Sequence, residues 1–125
     1  MKLLLSIFVL LFFIFGCEQT TRDYSFEESK EIATLFVLNS PTYQYNGKNL
    51  ELLDSGSLEC DNCFMFVFRF SSAYDGYGDR QDKIPNEIET ENIIEVIVQK
   101  GEVIQATINN EWNEILQRKI SDYEK

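Results

Sequence analysis

Residues 64–70 read Phe-Met-Phe-Val-Phe-Arg-Phe. Side chains of an extended strand alternate between its two faces, so the four rings share one face of a sheet. A helix, at 3.6 residues per turn, would scatter them around its circumference. This segment therefore predicts a sheet with one strongly apolar side, and places Phe64, Phe66, Phe68 and Phe70 in the core. An exposed stripe of rings acting as an aromatic ligand platform is the competing reading. Core is favoured, because a small domain has few other places to bury side chains of this size.

The other elements are read around that strand. Ser25-Phe26-Glu27-Glu28 has the form of a capping box, in which Ser25 caps a helix start and Glu28 reaches back. The helix is predicted to run to about Asn39, with Ile32, Ala33, Leu35 and Phe36 near one face. Asn39-Ser40-Pro41 ends it, since the residue before proline avoids helical angles. Thr42-Tyr43-Gln44-Tyr45 alternates, Asn46-Gly47 is a favoured hairpin turn, and Leu50 to Leu53 is the expected return strand. Ser55-Gly56-Ser57 makes another turn, and residues 71–90 form a long polar loop. Ile93–Val98 and Val103–Ile108 are strands joined through Lys100-Gly101. Asn109-Asn110 is expected to cap a last helix, with Trp112, Ile115, Leu116, the Lys119 stem and Ile120 as its apolar stripe. The order predicts an α+β fold: an antiparallel sheet of about five strands, with an N-terminal and a C-terminal helix packed on one face.

The first residues carry a different signal. Lys2 is followed by an uncharged, apolar run from Leu3 to Gly16. That run falls short of the roughly 18–20 residues that span a bilayer as a helix, and a basic start with a short apolar run marks a removable signal segment. It ends in Ile14-Phe15-Gly16-Cys17. These residues resemble the lipobox of prokaryotic lipoproteins, with Phe15 larger than the residue usual at its position. The resemblance implies cleavage before Cys17 and lipidation of its sulfur. Residues 1–16 are then signal peptide, 17–23 a lipidated tether, and 24–125 one small domain. One acyl chain holds a protein weakly, and lipoproteins of this type carry two or three. The expected location is exported, lipid-anchored to the cell membrane or outer membrane.

Charge and composition exclude several functions. The chain has 11 basic and 21 acidic side chains, a net charge of −10, and no histidine. Loss of Lys2 with the signal leaves the remainder one unit more acidic. Nucleic acid and anionic lipid surfaces require basic contacts, so no nucleic-acid partner is expected, and the domain should stand off the membrane. Without histidine there is no Ser-His or Cys-His nucleophile. No catalytic residue, cofactor or complete metal set is read from the sequence.

Two local features have chemistry to offer. Cys60-Asp61-Asn62-Cys63 is a C-x-x-C motif in a chain expected in an oxidising compartment. A local disulfide is the favoured reading; a redox-active dithiol would be expected at a helix start, and here a strand follows. Phe64 stands where a c-type haem site needs histidine, and two cysteines fall short of a zinc set. The second feature is the loop containing Tyr74, Asp75, Tyr77, Asp79, Arg80 and Asp82. Its three carboxylates and its glycines suggest a calcium loop, but the spacing is not that of an EF-hand, and Arg80 opposes a cation. Turn chemistry in a solvated loop explains the same residues, and the tyrosines suit a contact surface.

The terminal elements, with the hairpin, look like small exported domains of PepSY or cystatin type. Ser40-Pro41-Thr42-Tyr43, Asn46-Gly47, Gly76-Tyr77-Gly78-Asp79-Arg80 and Gly101-Glu102-Val103 through Trp112 together resemble a group of small exported prokaryotic proteins with no activity to carry over. The expected function is a non-enzymatic interaction domain, held to the membrane by lipid and binding an envelope protein through residues 73–90. The alternatives are a thiol redox protein using Cys60 and Cys63, and a calcium module.

Overall fold

The structure, a computed structural model, describes residues 22–80, 86–121 and 123. The signal segment, Cys17, most of the tether, and Asp82 of the loop lie outside the described residues. What is described is an α+β fold: helices α1 (Phe26–Asn39) and α2 (Pro41–Asn46), and six strands, β1 (Gly47–Ser57), β2 (Cys63–Ser72), β3 (Thr90–Gln99), β4 (Glu102–Ile108), β5 (Trp112–Asn113) and β6 (Arg118–Lys119). The strands form one antiparallel sheet in sequence order. Such a meander follows from joins that are mostly short, because antiparallel neighbours need only a tight turn between them. Among the described residues no helix is long and apolar enough to cross a membrane.

The capping box forms as read. Ser25 Oγ accepts from the Glu28 amide at 3.0 Å, and Glu28 Oε1 accepts from the Ser25 amide at 3.1 Å. Helix α1 lies on the phenylalanine side of the sheet and buries Ser29, Ala33 and Val37 there. Their four-residue spacing puts small side chains toward the strands, which lets the helix approach closely. Ile32 and Phe36 pack at the margin, and Leu35, expected on the buried side, points outward and is 50% exposed.

Phe66, Phe68 and Phe70 are buried on one face of β2, and Phe64 packs against the same cluster. Ile94, Val96 and Val98 of β3 and Ala106 and Ile108 of β4 complete this layer. The core reading of the alternating rings is therefore correct.

Four expectations are corrected. Ser55-Gly56-Ser57, expected as a turn, is the end of β1, paired with Phe66, Met65 and Phe64 of β2. Residues 42–45 are helical, and Asn46-Gly47 is not a hairpin. Pro41 occupies the first turn of α2, where its fixed φ favours a helix and its missing N–H costs nothing. The residue read as a stop for one helix is the start of the next. Gly47 has an ordinary φ of −76° but sits where a Cβ would collide with the Tyr43 ring and carbonyl.

The C-terminal helix is absent; β5 and β6 stand in its place, making six strands rather than about five. Asn109, Asn110 and Gln117 have φ of 53°, 55° and 53°, all outside the helical region. Asn113 Oδ1 accepts from the amides of Ile115 and Leu116, a side-chain bond that competes with helix formation. Of the expected stripe, only Trp112 packs on the core, while Ile115 and Leu116 are exposed. The helices on the sheet are thus both N-terminal to it.

Candidate functional site

The meander has two ends with different characters. One end collects residues 22–25 ahead of α1, the 58–62 turn between β1 and β2, and the Lys100-Gly101 turn. The other collects Ser40, residues 73–80 and 86–89, and the 109–111 turn. Strand β2 joins them with ten residues, about 30 Å at the usual rise per residue.

Cys60 and Cys63 are joined as a disulfide in the first end. The turn they close holds Asn62 at φ 49°. Asn62 Oδ1 accepts from the Tyr24 amide at 2.9 Å, and its Nδ2 donates to the Tyr24 carbonyl at 2.8 Å. Its own carbonyl accepts from the Lys100 amide at 3.0 Å. Gly101, at φ 78°, presses its α-carbon against the Tyr24 ring, where a Cβ would not fit. The C-x-x-C turn is thus a clamp that fixes where the chain comes into the domain from its N-terminal side. Cys63 is buried and Cys60 exposed. The nearby cation, Lys100, is paired with Asp61 at 3.1 Å. This arrangement suits a structural bridge better than a reactive thiolate, which needs a positive neighbour.

Alkylation of the intact protein is expected to add no label at Cys60 or Cys63 until a reductant is present. The double serine variant should fold, losing about 2 kcal/mol or less, because the closed loop is so short. Two labels without reductant would rule out the bridge.

The opposite end holds most of the candidate loop. Tyr77 stacks on Trp112 with centroids 5.5 Å apart. Its hydroxyl donates to Glu111 at 2.8 Å and accepts from Asn109 at 3.2 Å. Burial pushes the Tyr77 phenol up from its ordinary value, so it stays a donor. Asn109 continues to Asn92, Asn92 to Ser72, and Ser72 to the Tyr74 carbonyl, a chain of side-chain bonds that ties the loop to β2 and β3.

A second network lies beneath it. Glu114 is 2% exposed and accepts from the Thr42 amide at 2.9 Å and the Thr42 hydroxyl at 2.6 Å. The same hydroxyl accepts from the Gly78 amide at 2.7 Å. One buried carboxylate thus connects α2, the loop and the β5–β6 segment. Gly78, at φ 69°, has a backbone conformation that side chains rarely adopt, and a Cβ there would be tight against Trp112.

Arg80 is buried beneath Tyr45, with its guanidinium 4.4 Å from the ring centroid. Burial lowers its pKa from the ordinary arginine value, while Tyr45, Glu114, Asp75 and Asp79 act in the opposite sense. Tyr74 meets Tyr45 edge to face at 6.0 Å. Asp75 accepts from Asn86 at 3.4 Å. Among the described residues no group of three or more His, Cys, Asp or Glu is placed to hold a metal ion.

The structure therefore gathers Tyr74, Asp75, Tyr77, Asp79 and Arg80 at one end, and places Cys60 and Cys63 at the other. Sequence reading missed Asn62, Thr42, Tyr45, Asn109 and Glu114. The asparagines left a signal, since asparagine is enriched at positive φ and in side-chain-to-backbone bonds. Glu114 left none, being one acid among 21. No family model matches the chain, and neither the curated proteins nor the solved structures contain a significant match.

Proposed function

We propose that this protein is a lipid-anchored cell-envelope protein whose domain is a non-enzymatic binding module, with the 73–90 loop as its contact end. The observation that carries the reading is the opposite placement of two features. Tyr24, the start of the domain, is clamped by Asn62 at one end of the sheet. The loop with Tyr74, Tyr77 and Arg80 lies at the other end. A short tether from a lipid on Cys17 then leaves the disulfide end toward the membrane and turns the loop end outward. The hold of the Asn109–Asn92–Ser72 chain on Tyr74 and Tyr77 supports a contact surface prepared in advance there, which lowers the entropy lost on binding. The net charge of −10 favours a partner with basic character and keeps the domain off anionic headgroups.

Cys17→Ser tests the anchor. The variant is expected to leave the detergent phase for the aqueous phase, or to accumulate as uncleaved precursor. Normal processing with unchanged partition into detergent would overturn it.

A further inference from the structure

Helix α1 turns its small side chains Ser29, Ala33 and Val37 to the sheet, which leaves the larger Ile32, Leu35 and Phe36 at its margin. These three, with Val103 of β4 and Ile115 of the β5–β6 segment, line a mostly apolar groove of about 420 Å³. Leu35 is 50% exposed and Ile115 41%, so the groove is open to solvent at its rim. Leu35 also borders a second hollow, lined by Glu27, Glu28, Lys30, Glu31 and Thr34 of α1. Three acids stand there against one base. Glu28 is paired with Arg22. Glu27 and Glu31 are exposed, one turn apart, and enter no ion pair among the described residues. Like charges at that spacing repel each other along a helix, and a cation between them relieves the cost.

We propose that this groove docks a basic amphipathic helix of a partner protein, with its apolar side chains between α1 and β4 and a Lys or Arg against Glu27 and Glu31. The surface goes beyond the loop-end reading, since none of the described residues of the loop lines either hollow. The apolar contacts supply affinity, and the acids select the partner and its direction of approach. The chain itself has little to place there. With residues 1–16 removed as signal peptide, the segments outside the described residues carry one aliphatic side chain besides proline, Ile84. A second copy would bring the same acids to the same rim, and the net charge of −10 opposes it. An acyl chain fills the apolar part and leaves Glu27 and Glu31 facing each other unrelieved.

The test titrates the ¹⁵N-labelled full-length protein, in a zwitterionic detergent, with two synthetic amphipathic helical peptides. Both have the same leucine face; one carries Lys on its polar face and the other Glu. The Lys peptide is expected to shift the amides of Ile32, Leu35, Phe36 and Val103 saturably, with a midpoint on the order of 10–1000 μM. The Glu peptide should bind about tenfold more weakly. Glu27→Lys combined with Glu31→Lys, both at exposed positions, should reverse that order, and Leu35→Asp should weaken both peptides. Equal affinity for the two peptides would overturn the basic partner and mark the groove as an acyl-chain site. Shifts of the same amides that follow protein concentration without peptide would overturn it in favour of an interface between copies of this chain. No saturable shift at these amides would overturn docking altogether. The comparison of the two peptides on the wild-type protein decides the matter even if the variants fail to fold. Failure here leaves the outward orientation of the loop end intact, since that is read by crosslinking at other residues.

Discussion

Phe66→Ala is expected to cost about 3–5 kcal/mol of folding stability, the usual range for removing a buried phenylalanine. Phe66 is fully buried at the middle of β2, opposite Ser55 of β1 and Val96 of β3. Its ring also meets Phe26 of α1 at 5.4 Å, so the substitution opens a cavity between sheet and helix. The surrounding strands are held on both sides and cannot collapse into it. A domain of this size has about 5–15 kcal/mol in total, so the midpoint of thermal unfolding should fall steeply. Met65→Ala, on the opposite face and half-buried, should cost distinctly less. Urea unfolding of the two variants makes the comparison. A loss below about 1 kcal/mol at Phe66 would mean that the stripe is open, and the aromatic-platform reading would return.

Glu114→Ala is expected to cost about 3 kcal/mol, although Glu114 makes no ion pair among the described residues. The carboxylate accepts both the amide and the hydroxyl of Thr42, and the side chain is buried. Deleting it leaves two buried donors without an acceptor, each worth about 1–3 kcal/mol. The Thr42 hydroxyl also accepts from the Gly78 amide, so the damage should spread to the loop. Glu114→Gln keeps one acceptor and should lose roughly half as much. Amide exchange gives a sharper signature than global stability: Thr42 and Gly78 should exchange faster in Glu114→Ala, while Ile94 and Val96 hold until the whole domain unfolds. Unchanged exchange at Gly78 would show that the loop is held without Glu114.

What could be read from the sequence follows the range of the forces involved. The capping box is a contact between residues three apart, and it stood in plain view at Ser25 and Glu28. The Phe64–Phe70 strand has a period of two, and nothing else in the chain competes with it. The Lys100-Gly101 turn needed only its neighbours. The failures at residues 41–47 and after Asn110 were places where local signals conflicted. Pro41 both ends one helix and starts another, and Asn46-Gly47 carries a hairpin preference that Tyr43 packing overrides. After Asn110 the apolar spacing fits a helix, but the Asn113 side chain takes the amides of Ile115 and Leu116, and Gln117 has a positive φ. The site was less legible. The loop tyrosines and Arg80 were found by composition, whereas the Asn62–Tyr24 clamp spans 38 residues and the Glu114–Thr42 bond spans 72. Nothing in the chain around any of these residues announces its partner.

The outward orientation of the loop end is tested most directly by placing a photoreactive side chain at either end of the sheet in membrane-bound protein. Asp61 and Gln44 are both exposed, one in the disulfide turn and one in α2 beside the loop. At Asp61, illumination is expected to give lipid adducts. At Gln44, some 30 Å further along the sheet, it should give no lipid adduct and should capture a non-lipid envelope component. Lipid adducts at Gln44 with none at Asp61 would contradict the account.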